Sequence, residues 1–111
     1  MIRVDQLYMA VEPSDMRGGM DRFLSRVVGK FGSAKPHTAY CFINRDRNRI
    51  KVLVHDGFGL WLAVRRLHSG RFIWAEYGMN GKLQITAEQF NALVIGLPWK
   101  RVGADSEIRI A

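Results

Sequence analysis

The stretch INRDRNRIKVLVHDGFGLWLAVRRLHSGRFIW, residues 43–74, predicts the centre of the fold. Its basic side chains alternate over positions 45–51, and two apolar runs follow on either side of an Asp-Gly turn. Alternation with a period of two is typical of a β-strand that has one exposed face. Arg49–His55 and Leu60–Leu67 are therefore predicted to form an antiparallel hairpin around the Asp56–Gly59 turn.

The hairpin register follows from the turn. If Gly57 and Phe58 are its two central residues, the residues on either side pair in a fixed order. The pairs predicted to face each other are His55 with Leu60, Lys51 with Val64, and Arg49 with Arg66.

Upstream of this hairpin, the pattern predicts two strands and a helix. Gln6–Val11 and Ala39–Ile43 have the composition of strands. Between them, apolar residues spaced three and four apart from Met16 to Val28 predict one face of a helix. Ser14 or Asp15 is expected to cap its start, and Gly29 and Gly32 are expected to end it.

Downstream of the hairpin, Arg71–Glu76 is predicted to be a further short strand. Thr86 begins a second helix, and Gln89 completes a Thr-x-x-Gln capping box. The tail holds a candidate strand at Ile108–Ile110. The fold class predicted is α+β, with an antiparallel sheet of four to five strands and two packed helices in a single small domain over residues 1–111.

The charge balance favours an anionic partner. Seventeen Lys and Arg residues against ten Asp and Glu give a formal net charge of +7. Nucleic acid is the first candidate, an acidic membrane surface the second and an acidic protein the third. The basic residues predicted to contact DNA are Arg45, Arg47, Arg49, Lys51, Arg65, Arg66 and Arg71.

The predicted hairpin itself supports this interpretation. Arg49 directly opposite Arg66 is a destabilising arrangement, and an anionic partner would relieve it. The alternative is that both side chains splay into water without a ligand.

Three tryptophans lie beside basic residues or turns and are candidates for binding a protein partner: Trp61, Trp74 and Trp99. The competing interpretation is that they cover one end of a small sheet.

The sequence contains no pattern of a catalytic, metal or cofactor site. The carboxylates are scattered, and His37, His55 and His68 lack the spacing of zinc ligands. No small-molecule substrate is indicated. Cys41 lies in an apolar run, and neither a signal peptide nor a membrane-spanning run is present, so the expected location is the cytoplasm.

An ordered set of motifs across the chain resembles a known family. They include Pro13–Arg17, Arg49–Leu53, Asp56–Leu62, Gly70–Phe72 and Gly96–Trp99. Together they resemble the TnpB accessory proteins encoded by the second reading frame of bacterial insertion sequences of the sixty-six family.

The resemblance implies a protein that acts in DNA transposition with a larger transposase and a further accessory protein. The chemistry would belong to the transposase. We therefore expect a non-enzymatic accessory factor that binds DNA, docks on the transposase, or does both. The alternative is a nuclease or strand-transfer subunit with an unrecognised carboxylate site.

Overall fold

The computed structural model describes residues 3–100, which form one five-stranded sheet and two helices. The α+β fold with two packed helices is therefore confirmed, and the Ile108–Ile110 strand lies outside the described residues. The elements are β1 (Gln6–Ala10), α1 (Met20–Phe31), β2 (Thr38–Ile43), β3 (Arg49–His55), β4 (Leu60–Arg66), β5 (Lys82–Ile85) and α2 (Ala87–Val94).

The strands lie in the order β4-β3-β2-β1-β5, with β3 and β2 near the centre of the sheet. Every neighbouring pair is antiparallel except β1 and β2, which run parallel. This exception arises because α1 carries the chain back to the end of the sheet at which β1 began.

The central hairpin has the predicted register: His55 pairs with Leu60 and Arg49 pairs with Arg66. The backbone N–H of Asp56 donates to the carbonyl of Gly59 at 3.1 Å, closing the turn. Gly57 has a φ of +95°, which the first central position of such a tight hairpin turn requires.

Gly57→Val is expected to destabilise the fold by on the order of one to a few kcal/mol, because valine resists a positive φ. A Cβ at this position would also lie 3.2 Å from the His37 ring. Thermal melts check this, with a Tm lowered by about 5–10 °C expected for a domain of this size. Gly59→Val is the matched control, because a Cβ on Gly59 meets nothing within 4 Å. Equal melting temperatures for both variants would show that the positive φ at Gly57 does not determine the stability of the fold.

Each face of the sheet carries its own hydrophobic core. On the face covered by α1, Phe23 and Val27 of the helix pack with Phe42 and Leu53 of the strands. We call this the α1 face. On the opposite face, the α2 face, Leu93 of the second helix belongs to the core. Alternation along β2 and β3 sends successive side chains to these two cores, which explains why both strands are mostly buried.

The start of α1 differs from the prediction. The helix begins at Met20 with Gly19 as its N-cap and no side-chain cap, so neither Ser14 nor Asp15 performs that role. Gly18 has a φ of +94°, which interrupts the helix before this point. Gly32 ends the helix as predicted, whereas Gly29 lies inside it.

The strand predicted at Arg71–Glu76 is wrong, although its alternation is real. Phe72 and Trp74 are buried and Ile73 is exposed, but the segment joins no strand ladder within residues 3–100. It packs over the α2 face instead, where Phe72 and Trp74 join the core. The fifth strand is β5, which pairs with β1 and was not predicted.

The second helix begins as predicted. The Thr86 hydroxyl accepts the Gln89 N–H, and the Gln89 side chain accepts the Thr86 N–H. Gly96 follows its end with a φ of +84°.

Cys41 of β2 is fully buried. Burial raises the pKa of its thiol to about 12, so the thiol is unreactive.

Candidate nucleic-acid interface

The turn between β2 and β3 is held by one side chain. The amide oxygen of Asn44 accepts the backbone N–H groups of Asn48 and Arg49, both at 3.0 Å. Its amide nitrogen donates to the Asn48 side chain at 2.6 Å. These bonds fix a short turn on which Arg45 and Arg47 are exposed.

The segment after β4 docks on this same turn. The backbone N–H of Phe72 donates to the carbonyl of Arg47 at 2.6 Å, and Leu67 donates to Asn48 at 3.0 Å. Because the Phe72 side chain is anchored in the core, the exposed Arg71 is held next to Arg47. Residues far apart in sequence thus meet at one place.

The opposed arginines of the hairpin complete this cluster. Arg49 and Arg66 are directly paired, and both point to the α1 face. These side chains gather where β2 and β4 end and β3 begins. We call this surface the basic end. Its members are Arg45, Arg47, Arg49, Arg66 and Arg71. None of these five arginines forms an ion pair with an acidic group of residues 3–100.

Lys51 has a structural role that the sequence did not reveal. Its ammonium donates to the carbonyls of Met16 at 2.7 Å and Gly18 at 3.0 Å. It also lies 5.0 Å from the centre of the Phe23 ring. Lys51 therefore holds the segment before α1 against the sheet, and we do not count it among the free DNA contacts.

That segment brings further arginines towards the basic end. The Ser14 N–H donates to the carbonyl of Ile43 at 2.7 Å, which ties the segment to the end of β2. Arg22 packs against Gly18, and Arg26 donates to the Asp15 carbonyl. Arg22 and Arg26 are four residues apart on α1, and these contacts bring them near the basic end.

Arg17 belongs to the same segment but is neutralised locally. Its guanidinium bonds to the Asp15 carboxylate at 2.6 Å, and this hydrogen bonding holds the pKa of Asp15 well below its usual range. The pair is exposed, so it contributes little to stability.

Arg65 lies on the other side of the sheet. It pairs with Ile50, whose side chain belongs to the core of the α2 face. Its Nε donates to the carbonyl of Val94 at 3.0 Å, at the C-terminus of α2. The seven predicted DNA contacts therefore do not form one face, because neighbouring Arg65 and Arg66 point in opposite directions.

The three candidate tryptophans separate in the same way. Trp74 and Trp99 are only 1% and 2% exposed, so the prediction that they bind a partner does not hold in this fold. Their indole N–H groups donate to the carbonyls of Ala10 and Ile73. The alternative role, covering the sheet, fits both.

Trp61 is 51% exposed and remains a candidate for partner binding. Its indole N–H donates to the Asp56 carboxylate at 2.8 Å. The pKa of Asp56 is lowered because Phe58 and Gly59 N–H groups, and then Trp61, donate to the carboxylate. The ring is thereby held beside the hairpin turn.

Within residues 3–100, no group of three or more His, Cys, Asp and Glu side chains is arranged to hold a metal ion. Over the same residues, no helix combines the length and apolar character needed to cross a bilayer.

Comparison with known proteins identifies relatives along almost the entire chain. A family model described as IS66 Orf2 like protein matches residues 5–104. The uncharacterized protein y4jC of Sinorhizobium fredii (strain NBRC 101917 / NGR234) is 33% identical over 99 residues, covering 87% of this chain and 83% of that protein. A second protein of that strain, the uncharacterized protein y4hO, is 30% identical over 97 residues, covering 86% and 83%. No solved structure matches the chain.

Proposed function

Because this chain belongs to the IS66 Orf2-like family, we propose that it is a non-catalytic accessory factor in the transposition of an insertion sequence and that it binds DNA through the basic end. Membership of the family supports the role in transposition. The DNA contact rests on the basic end. The cytoplasmic location of the protein stays a prediction.

The observation that carries the DNA contact is the gathering of five arginines on a rigid frame. Arg49 is half-buried and the other four are exposed, and none of them pairs with an acidic group of residues 3–100. The hydrogen bonds of Asn44 and the buried Phe72 fix the backbone beneath Arg47 and Arg71. Such a preorganised cluster attracts phosphates, since the like charges are already held together and an anion relieves their repulsion.

The position of these arginines favours phosphate contacts over base reading. They lie on turns and strand ends, and neither described helix presents the set as a row that would enter the major groove. Contacts to phosphates position a protein on DNA but carry no sequence information. We therefore propose binding of low sequence specificity.

The family resemblance also supports protein partners, namely the transposase and the second accessory protein of the same element. Trp61 is the exposed aromatic residue that we assign to protein contacts in general, because large aromatic side chains often anchor interfaces. Co-purification with the transposase that survives nuclease and high salt would favour a protein adaptor over a direct DNA binder.

Replacing the opposed pair tests the DNA contact. Arg49→Ala combined with Arg66→Ala removes facing like charges, so the free energy of unfolding should stay within about 1 kcal/mol of the parent or rise. Affinity for duplex DNA should fall roughly tenfold, since two arginines that bind phosphates are removed. Thermal melts, an anisotropy titration and a transposition assay measure the three effects.

The matched control removes one positive charge at the opposite end of the strands. Lys35→Ala changes the net charge as much as Arg66→Ala alone, and the exposed Lys35 forms no ion pair with the acidic groups of residues 3–100. If Lys35→Ala weakens DNA binding as much as Arg66→Ala, only net charge matters and the proposed surface is wrong. Metal-dependent cleavage of element-end DNA, abolished by replacing one carboxylate, would instead establish the nuclease alternative.

A further inference from the structure

Among the strands of residues 3–100, β4 forms an open edge of the sheet, and its first five residues are apolar. It is the last strand on its side, and its sequence is LWLAVRR. Trp61 is 51% exposed and Val64 is 57% exposed. Ala63, between them, is also exposed. A long apolar edge of this kind is a surface on which another strand can pair.

With respect to the backbone of residues 3–100, this edge has free hydrogen-bonding groups at alternate residues. The bonds from Asp56 to Gly59 and from Leu67 to Asn48 mark the hydrogen-bonded pairs at the two ends of the hairpin. In an antiparallel ladder these pairs alternate, so odd-numbered residues of β4 bond to β3. The N–H and C=O groups that point away from the sheet belong to Leu60, Leu62, Val64 and Arg66.

Natural edge strands usually carry a feature that prevents such pairing. β4 contains no proline or lysine, and its ladder with β3 runs without a break from Leu60 to Arg66. The opposite edge is different, because β5 has only four residues and includes Lys82 and Gln84. The charges of β4 are confined to its end, at Arg65 and Arg66, so its first five residues lack such protection.

We propose that β4 pairs antiparallel with β4 of a second copy of this chain, with Ala63 opposite its counterpart on the two-fold axis. Only outward-pointing residues can bond across the new ladder, so even-numbered residues must face even-numbered residues. Centring on Ala63 meets this condition and uses the whole strand. It places the smallest side chain of β4 where the two backbones come closest.

The side chains of this register are complementary. Leu62 faces Val64 of the second copy on the α1 face, while Trp61 faces Arg65 on the α2 face. The first pair is apolar, and the second allows the guanidinium to contact the indole ring. In a parallel arrangement the arginines would instead lie beside their own counterparts, which is unfavourable.

The charge distribution also permits this pairing. Antiparallel pairing puts Arg66 opposite Leu60, so the two Arg66 side chains lie about 20 Å apart, given the rise per residue of a strand. The Debye length at physiological salt is about 8 Å, and repulsion between the two basic ends is therefore largely screened. Both basic ends stay exposed in the pair.

Charge substitutions on the two-fold axis test the register. The parent chain, freed of nucleic acid by nuclease and high salt, is expected to sediment with the mass of two chains at high concentration. Ala63→Lys and Ala63→Glu should each sediment as one chain, because like charges would be opposed at the closest point. An equal mixture of these two variants should recover the mass of two chains.

Ser25→Lys adds the same charge on the exposed side of α1 and should sediment like the parent. Circular dichroism of every variant shows that the fold is retained. A parent that stays a single chain at all concentrations overturns the proposal, as does an Ala63→Lys variant that still pairs. A mixture that fails to recover the pair overturns the register with Ala63 on the two-fold axis.

Discussion

The affinity of this chain for duplex DNA is expected to fall about 10³-fold between about 50 and 200 mM salt. The reason is counterion release: each phosphate that an arginine neutralises frees condensed cations, and the gain shrinks as salt rises. About six phosphate contacts give this change, and the basic end together with Arg22 and Arg26 can supply that many. An anisotropy titration at several salt concentrations measures the slope.

The slope should track the number of arginines at the basic end. Replacing Arg45, Arg47 and Arg71 with alanine should lower the log–log slope by about 0.9 for each phosphate that is no longer neutralised. Lys35→Ala should leave the slope unchanged, because Lys35 lies at the other end of the strands and is exposed.

DNA of unrelated sequence should behave like element-end DNA in this titration, since the contacts go to phosphates. A binding isotherm that does not change with salt would refute the phosphate contacts and favour a protein adaptor. A large preference for element ends that persists at high salt would instead require contacts to bases.

Trp74→Ala is expected to be the most damaging single substitution in the described part of the chain, at about 3–5 kcal/mol. The indole is 1% exposed and belongs to the core between the sheet and α2. Its removal leaves a large cavity and deprives the Ala10 carbonyl of its donor at 3.0 Å. Since a domain of this size has a total stability of about 5–15 kcal/mol, the substitution would remove a large fraction of the free energy of unfolding. Denaturant unfolding measures the change.

Trp74→Phe separates the two contributions. Phenylalanine keeps most of the apolar volume but cannot donate, so a loss of about 1–3 kcal/mol is expected from the unpaired carbonyl. Tyr77→Ala is the matched control, because Tyr77 is an aromatic residue of the same segment that is 81% exposed. Equal stability of Trp74→Ala and Tyr77→Ala would contradict the burial of the indole.

Much of the central fold could be predicted from the sequence, because its determinants are local. The β3–β4 register follows from two-residue alternation and from the positive φ that Gly57 supplies between paired strands. The start of α2 follows from Thr86 and Gln89, which bond to each other three residues apart. In each case the interacting groups are close in sequence.

The candidate site could be predicted only in part. The arginines were recognised from their spacing, but Arg65 belongs to the α2 face and Lys51 is used to hold the loop before α1. A period-two pattern fixes which residues share a face, yet it does not show what packs on that face. The DNA contact itself is a proposal that rests on the charge and the placement of the arginines.

The sequence by itself determined the hairpin, its turn, the helix cap and the excess of positive charge, all of which arise from composition or from contacts within a few residues. Only the tertiary structure decided that Arg71–Glu76 packs over the sheet, that Lys82–Ile85 pairs with β1, and that Trp74 is buried. The physical reason is that burial and strand pairing are set by partners far along the chain. Trp74 is covered by the core of the α2 face, and Ala10, 64 residues away, accepts its N–H.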